Sequence, residues 1–155
     1  MRKIFAVLML VCALGLFAQI PAGTKSVALL TGETNDLLSE GDLEFDLFVN
    51  AGYFITNGIE IDAILGIMNY GDMEFALGVG ALYHMPLTPM FGLYVGAAFT
   101  YWTVGDGIMA VPIDAGLEIF LTPNNAIRVG NRFSLNLEEG MDNTDQVVIG
   151  TVHYF

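Results

Sequence analysis

The sequence predicts an all-β fold in which eight antiparallel strands close into an up-and-down barrel that crosses a membrane. Large apolar residues alternate with polar or small ones along eight segments, and turn-forming residues separate those segments. The mean hydropathy is +0.59 although the formal net charge is -12. After residue 23 no unbroken apolar run reaches the length of a membrane-spanning helix, so a membrane-embedded chain would have to cross as strands.

The N-terminus predicts a secretory signal peptide over residues 1–18 and a mature barrel domain over 19–155. Arg2 and Lys3 form a basic start, residues 4–17 are apolar, and Ala18 is small enough for cleavage before the next residue. The apolar run is too short for a transmembrane anchor helix. We therefore expect export through the Sec pathway. The single cysteine, Cys12, falls inside this segment, so the mature chain would form no disulfide.

The charge balance of the mature chain excludes several partner classes. Without Arg2 and Lys3, three basic residues remain against seventeen acidic ones, for a formal charge of -14. A field of this sign repels nucleic acid and other anionic partners. We expect no nucleic-acid function.

The large apolar residues keep the same parity of residue number from strand to strand. From the second strand onward they keep to odd numbers, most clearly in 43–55. A two-residue hairpin would reverse that parity, so we predict a three-residue loop at Thr56–Gly58, with Gly58 at positive φ, and a five-residue loop at Thr122–Ala126. The other connections, near 33–42, 69–72, 104–108 and 138–145, are acidic and vary more in length. The predicted strands are 24–32, 43–55, 59–69, 73–84, 90–103, 109–121, 126–137 and 146–155.

Side-chain volume predicts which row faces outward. An eight-stranded barrel has an interior just wide enough to be filled by side chains. The odd row holds more Phe, Leu, Ile, Val and Tyr than such an interior could contain, whereas the even row is rich in Gly and Ala. We therefore expect the odd row to face lipid and the even row to face the lumen. A lipocalin-like soluble barrel would have the opposite orientation.

Aromatic residues near both ends of the strands fit two interfacial girdles. Three residues conflict with the pattern: Asn131 falls on the lipid row, Pro112 lacks a ladder donor in mid-strand, and Phe48 falls on the lumen row. A bulge or a position near the rim would explain the first two. The predicted girdle comprises Tyr53, Tyr83, Phe91, Tyr101, Trp102 and Tyr154.

The even row also carries charges, which need partners or water in so narrow a space. We expect both arginines to pair with luminal carboxylates, because a guanidinium can bridge two of them. The resulting lumen would be mostly plugged; a gate or a cation-selective path is the alternative. The predicted luminal charge network comprises Glu44, Asp46, Glu60, Asp62, Glu74, Asp114, Glu118, Arg128 and Arg132.

The signal peptide, the eight strands, the hairpin at 52–61 and the terminal Phe155 together resemble the small bacterial outer-membrane barrels of the outer-membrane protein A, X and W type. The resemblance implies a bacterial outer-membrane location, both termini in the periplasm, contact with outer-membrane lipid, and a monomer delivered by periplasmic chaperones and the barrel-assembly machinery. It also implies an assembly signal in the last strand. His153 occupies a position where the family prefers Tyr, which weakens that signal; its residues are Val147, Ile149, Thr151, His153 and Phe155.

No constellation in the sequence indicates catalysis, a metal site or a cofactor. The two histidines, His84 and His153, fall on the short-turn side, and Ser39 falls in the first loop without a histidine near it. The acidic run 138–145 fits a solvated surface better than a calcium loop. We expect a non-enzymatic barrel with a structural or surface-interaction role. The alternative is a narrow channel or transporter for small or hydrophobic solutes, which Phe48, Leu82 and Val148 on the inner row leave open.

Overall fold

The computed structural model describes residues 20–33, 45–69, 73–103, 107–138 and 142–155. The predicted signal peptide, Ser39 and Glu44 lie outside the described residues. Those residues form a closed antiparallel barrel in chain order, with β1 hydrogen-bonded to β8. No helix among them is long and apolar enough to cross a membrane. The strands are β1 (Lys25–Glu33), β2 (Phe45–Thr56), β3 (Ile59–Asn69), β4 (Met73–Pro86), β5 (Phe91–Trp102), β6 (Ile108–Thr122), β7 (Asn125–Asn136) and β8 (Thr144–Tyr154).

The two ends of the barrel differ in their connections. Turns at 57–58, 87–90 and 123–124 join the strands at one end, which we call the short-turn end. The connections 34–44, 70–72, 103–107 and 137–143 join them at the other, which we call the acidic end because nine of those residues are Asp or Glu and none is Lys or Arg.

The predicted parity is confirmed around the whole barrel. Odd residues pair with odd residues between neighbouring strands, as in Ala81↔Ala97 and Ala115↔Asn131. The first strand follows the same rule, since Val27 pairs with Ala51. Because the side-chain period of a strand is two, one set of residues faces outward all round and the other faces inward.

Two short turns preserve the parity in a way the sequence did not predict. Asn57 and Gly58 form a two-residue turn, which alone would reverse the rows. The register shifts between Phe54 and Thr56, so a bulge supplies one extra residue and restores them. Gly58 has the expected positive φ, 78°. The predicted five-residue loop is likewise a two-residue turn, Pro123-Asn124, with a register shift between Phe120 and Thr122.

The outward direction of the odd row is confirmed. Its large apolar side chains are exposed, with Leu77 and Val79 each at 63 %. The fully buried side chains carry even numbers. Small inner residues are required where strands crowd the lumen: a Cβ on Gly116 would lie 2.3 Å from the Val129 carbonyl oxygen. An apolar outer wall of this extent suits a lipid environment rather than water.

The aromatic residues follow parity rather than their distance from the ends. Tyr53, Tyr83, Phe91 and Tyr101 are exposed on the outer wall. The assignment of Trp102 and Tyr154 to the girdle is wrong, because both occupy even positions and point inward. Trp102 packs edge-on against Phe48, with ring centroids 5.8 Å apart, and Tyr154 is 3 % exposed.

The structure resolves the three misfit residues differently. Asn131 faces outward in regular register between Ala115 and Val147, so the expected bulge is absent there. Pro112 coincides with a break in the β5–β6 ladder, whose pairing stops at Ile113 and resumes at Ala110 without a register shift. Because a proline has no N–H to donate, the interruption of the ladder at Pro112 is the expected consequence. Phe48 points inward and is buried.

Candidate functional site

Four charged side chains meet inside the barrel, and we call them the buried charge cluster: Glu60, His84, Glu118 and Arg128. Their even positions on β3, β4, β6 and β7 direct all four into the lumen, where each is at most 2 % exposed. His84 Nε2 lies 2.7 Å from Glu60 Oε2, and its Nδ1 lies 3.0 Å from Glu118 Oε2. Arg128 donates to Glu118 Oε1 through Nε at 3.1 Å and through Nη2 at 2.8 Å.

The geometry of this cluster balances its charges. Both ring nitrogens of His84 face carboxylate oxygens, and only the imidazolium form can donate to both. With His84 protonated, two cations face two anions. Arg128 adds a second link, since its Nη2 lies 3.8 Å from Glu60 Oε2. Buried charges persist only when they are paired and hydrogen-bonded in this way.

Polar and aromatic side chains enclose the cluster. Tyr154 donates its hydroxyl hydrogen bond to Glu118 Oε1 at 2.8 Å, and the Ser26 hydroxyl bonds to Glu60. Phe54 packs against the His84 ring with centroids 5.0 Å apart. The Arg128 guanidinium lies 4.7 Å from the centre of the Tyr94 ring.

A second ion pair lies nearer the acidic end. Arg132 and Asp114 form a two-point contact, Nε to Oδ1 at 2.8 Å and Nη2 to Oδ2 at 2.9 Å. The Arg132 guanidinium also lies 4.3 Å from the centre of the Phe48 ring. Asp46, on the same half of the inner wall, accepts a hydrogen bond of 2.8 Å from Gln146. Each arginine thus contacts a luminal carboxylate, as the sequence predicted.

The remaining acids of the predicted network are arranged less tightly. Asp62 is 2 % exposed and accepts a long contact of 3.4 Å from the Asn50 amide. Its Oδ1, like Oδ1 of Asn50, has no hydrogen-bond partner within the described protein. Glu74 lies half-buried on the inner row, and in the described ranges no ion pair joins it to either arginine.

Sequence reasoning missed three members of the enclosed network. Ser26, His84 and Tyr154 were not included in the predicted charge network. The even positions of His84 and Tyr154 were a sufficient signal, whereas the parity rule held only from the second strand onward and did not cover Ser26. Their partners could not be inferred, because His84 on β4 reaches Glu118 on β6, a strand that does not pair with β4. Contacts across a lumen depend on strand tilt and stagger, which the sequence pattern does not specify.

Two cavities lie on opposite sides of the buried charge cluster. The larger, of about 420 Å³, is at the acidic end. The smaller, of about 350 Å³, is at the short-turn end and is bordered by Ile20, Pro123 and Tyr154. The lining of the larger cavity combines apolar residues, among them Phe48, Ile64, Trp102, Ile108 and Pro112, with polar ones, among them Asp46 and Arg132.

The described residues do not assemble a hydrolytic or metal centre. Both nitrogens of His84 contact carboxylates, and the Ser26 hydroxyl bonds to Glu60 rather than to a histidine. His153 lies on the outer wall, where its Nδ1 is 2.8 Å from Asn125 Oδ1. Among the residues the structure describes, no group of three or more His, Cys, Asp or Glu side chains could hold a metal ion.

Comparison with known proteins supports the fold. No protein-family model matches the sequence, and no curated protein matches it. Among solved structures, the N-terminal β-barrel domain of OprF from Pseudomonas aeruginosa is similar, with TM-score 0.71, 17 % identity, and coverage of 88 % of this chain and 100 % of that one. A transmembrane β-barrel designed de novo is similar too, with TM-score 0.66, 22 % identity, and coverage of 89 % and 100 %.

The same fold also occurs in an enzyme. The outer-membrane enzyme PagL is similar with TM-score 0.53 and 14 % identity, covering 83 % of this chain and 98 % of that one. A natural barrel domain, a designed barrel and an enzyme thus share one architecture. The chain has the fold of the small eight-stranded outer-membrane barrels, and its function must be argued from its own lumen and surface.

Proposed function

We propose that this chain is an integral protein of a bacterial outer membrane with a structural or surface-interaction role. Its lumen is mostly plugged and does not conduct solutes. The observation that carries the proposal is the position of the buried charge cluster between the two cavities. Its four side chains are at most 2 % exposed, and so are Phe54 and Val152. Side chains without solvent contact leave no continuous water path between the ends.

The energetics of the cluster support a fixed plug rather than a gate. Opening a path would separate Arg128 from Glu118 and His84 from two carboxylates, all inside a narrow, weakly hydrated space. Removing one partner from a buried pair costs about 3–5 kcal/mol. A conducting state would also need to move Phe54, which packs against both His84 and Tyr154. Eight strands leave little bore around such side chains.

The outer wall supports the location. Residues of the odd row form an apolar surface around the barrel, and the last strand presents its candidate assembly residues on that surface. In this arrangement the short-turn end and both termini face the periplasm, and the acidic end faces the exterior. The protein acts as a monomer without a cofactor, delivered by periplasmic chaperones and the barrel-assembly machinery, and it is not an enzyme.

The second candidate is a narrow channel or transporter for small or hydrophobic solutes. The cavity of about 420 Å³ at the acidic end favours it, because apolar side chains form much of its wall. A transporter additionally needs a route onward from the cavity, either past the buried charge cluster or through the wall.

The test combines membrane fractionation with conductance. We expect the protein in the outer-membrane fraction, soluble only in detergent, with a heat-dependent shift in gel mobility and no opening of general-porin size in a planar bilayer. The double variant Glu118→Ala/Arg128→Ala removes one anion and one cation together with their volume, so we expect it to conduct ions measurably. Lys25→Ala, an exposed residue outside the cluster, is the matched control and should behave as wild type. Porin-sized conductance in the wild type would overturn the proposal.

A further inference from the structure

We propose that the outer wall at the short-turn end carries a binding site for an anionic phospholipid of the phosphatidylglycerol type. Such a site rests on the proposed function, because it requires the odd row to contact lipid. It has a polar part, formed by Lys25, His153 and Asn125, and an apolar groove beside them. We call these two parts together the rim lipid site.

Acidic residues are absent from the outer surface at this end. The sequence has no Asp or Glu before Glu33, and the three short turns contain none. Glu60, Asp62 and Glu118 occupy the short-turn halves of their strands, and all three are buried in the lumen. Salt screens the exposed acids at the far end of the barrel. The negative net charge of the chain therefore does not decide which ion this part of the wall attracts.

Lys25 provides a cation on the outer wall of this end. It is exposed and pairs with Tyr53, whose side chain also faces outward. The other two basic residues of the mature chain, Arg128 and Arg132, are buried in the lumen. Among the described residues, no carboxylate forms an ion pair with Lys25. Its ammonium group can therefore bind an anion without first breaking an ion pair.

Hydrogen bonds orient His153 beside this cation. Asn125 Nδ2 donates to Thr122 Oγ1 at 2.9 Å, so Asn125 Oδ1 is the amide atom that accepts from His153 Nδ1, at 2.8 Å. His153 Nε2 is then the nitrogen that a headgroup can reach. It accepts from a glycerol hydroxyl when the ring is neutral and donates to a phosphate oxygen when the ring is protonated.

The spacing of the two groups suits one headgroup. His153 pairs with Val27, and Lys25 lies two residues before Val27 on the same face of β1. Diagonal neighbours of this kind are about 7–8 Å apart. A phosphate on Lys25 would therefore leave its glycerol group within reach of His153.

The groove beside the polar part fits an acyl chain. It has a volume of about 600 Å³, and Val27, Leu29 and Leu121 are among its apolar residues. Leu121 is the extra residue of the β6 bulge and is 64 % exposed, so the bulge adds a large apolar side chain to this wall. A hydrocarbon chain gains contacts there that a free phosphate ion cannot make. The occupant that uses both parts of the site is a lipid.

Quenching of tryptophan fluorescence by brominated phospholipid measures the site. In the mature chain, Trp102, the sole tryptophan, is replaced by Phe, and Leu29→Trp places a reporter in the groove. In phosphatidylcholine vesicles, brominated phosphatidylglycerol is compared with brominated phosphatidylcholine. We expect phosphatidylglycerol to be preferred at this reporter by at least about threefold. The matched reporter Val95→Trp is exposed on β5, on the opposite side of the barrel from β1, and should show no preference.

Three variants identify the polar groups. Lys25→Gln should reduce the preference at the Leu29→Trp reporter to the value at Val95→Trp, whereas Lys25→Arg keeps the charge and should retain it. His153→Leu should lower the preference to a smaller extent. Inorganic phosphate, compared with chloride at equal ionic strength, should leave the preference unchanged.

Three results overturn the proposal: equal preferences at the two reporters, an unchanged preference in Lys25→Gln, or a preference that phosphate removes and chloride does not. Brominated phosphatidylcholine separates this failure from that of the proposed function. If it quenches both reporters, the outer wall contacts lipid whatever the fate of the rim lipid site. If neither lipid quenches Leu29→Trp or Val95→Trp, the membrane location itself is contradicted.

Discussion

Replacing Arg128 with Met tests whether the buried charge cluster holds the barrel together. The side chain is 2 % exposed and makes two hydrogen bonds to Glu118, at 2.8 and 3.1 Å. Met keeps much of its apolar volume and its contact with Tyr94 but removes the positive charge. Glu60 and Glu118 then share one cation, His84, in a space with almost no solvent contact. We expect Arg128→Met to lower the free energy of unfolding by about 3–5 kcal/mol.

The assay is urea-induced unfolding in phospholipid vesicles. Trp102 packs against Phe48 inside the barrel, so its fluorescence changes when the side-chain packing in the lumen is lost. Gel mobility with and without heating reports whether the closed barrel has unfolded. Lys25→Met is the control, because Lys25 is exposed and lies outside the cluster. It should change stability by no more than about 0.5 kcal/mol.

A second variant separates lost charge balance from lost packing. Arg128→Met/Glu118→Gln removes one cation and one anion, which leaves His84 and Glu60 as a balanced pair. We expect it to be more stable than Arg128→Met alone, with a coupling energy of about 1–3 kcal/mol. A stabilising role for the buried charge cluster is contradicted if Arg128→Met lowers the free energy of unfolding no more than Lys25→Met does, or if adding Glu118→Gln lowers it further.

Three further changes are measured by the same unfolding assay. Tyr154→Phe removes the hydroxyl donor to Glu118 and should cost about 1.5–3 kcal/mol, whereas Tyr83→Phe on the outer wall should be nearly neutral; equal effects would contradict the inward placement of Tyr154. Asn131→Leu should raise the free energy of unfolding in lipid by about 1–3 kcal/mol, because it removes a polar group from the outer wall. A lower free energy of unfolding would show that the amide has a partner there. Gly116→Ala should destabilise by about 1–3 kcal/mol, because its Cβ meets the Val129 carbonyl at 2.3 Å, and an unchanged midpoint would refute that crowding.

Much of the fold was predictable because a strand has a period of two. One parity from the second strand onward was enough to predict the strands and the parity-preserving connections, side-chain volume predicted the outward row, and the strand ends fall within two residues of their predicted positions. The bulges at Ile55 and Leu121 could not be read from the sequence, since a three-residue loop and a two-residue turn with a bulge preserve the same parity.

The candidate site was predictable in composition but not in contacts. Glu60, Glu118 and Arg128 were expected in the lumen, yet nothing in their spacing indicated that His84 would lie between the two carboxylates. Tyr154 shows a conflict between two rules: its place near a strand end suggested a girdle, whereas its even number required the lumen. Parity is the stronger rule, because reversing one side chain would require a change of register.

A cysteine scan measures whether the odd row contacts lipid around a closed barrel. Single cysteines along β4 at Met73 through Tyr83 carry a spin label in phospholipid vesicles, and collisions with oxygen dissolved in the lipid are measured. Labels at odd positions such as Leu77, Val79 and Ala81 should collide often, and labels at even positions such as Ala76 and Leu82 should not. A flat profile, or one with the even positions in contact with lipid, would contradict the outward orientation of the odd row.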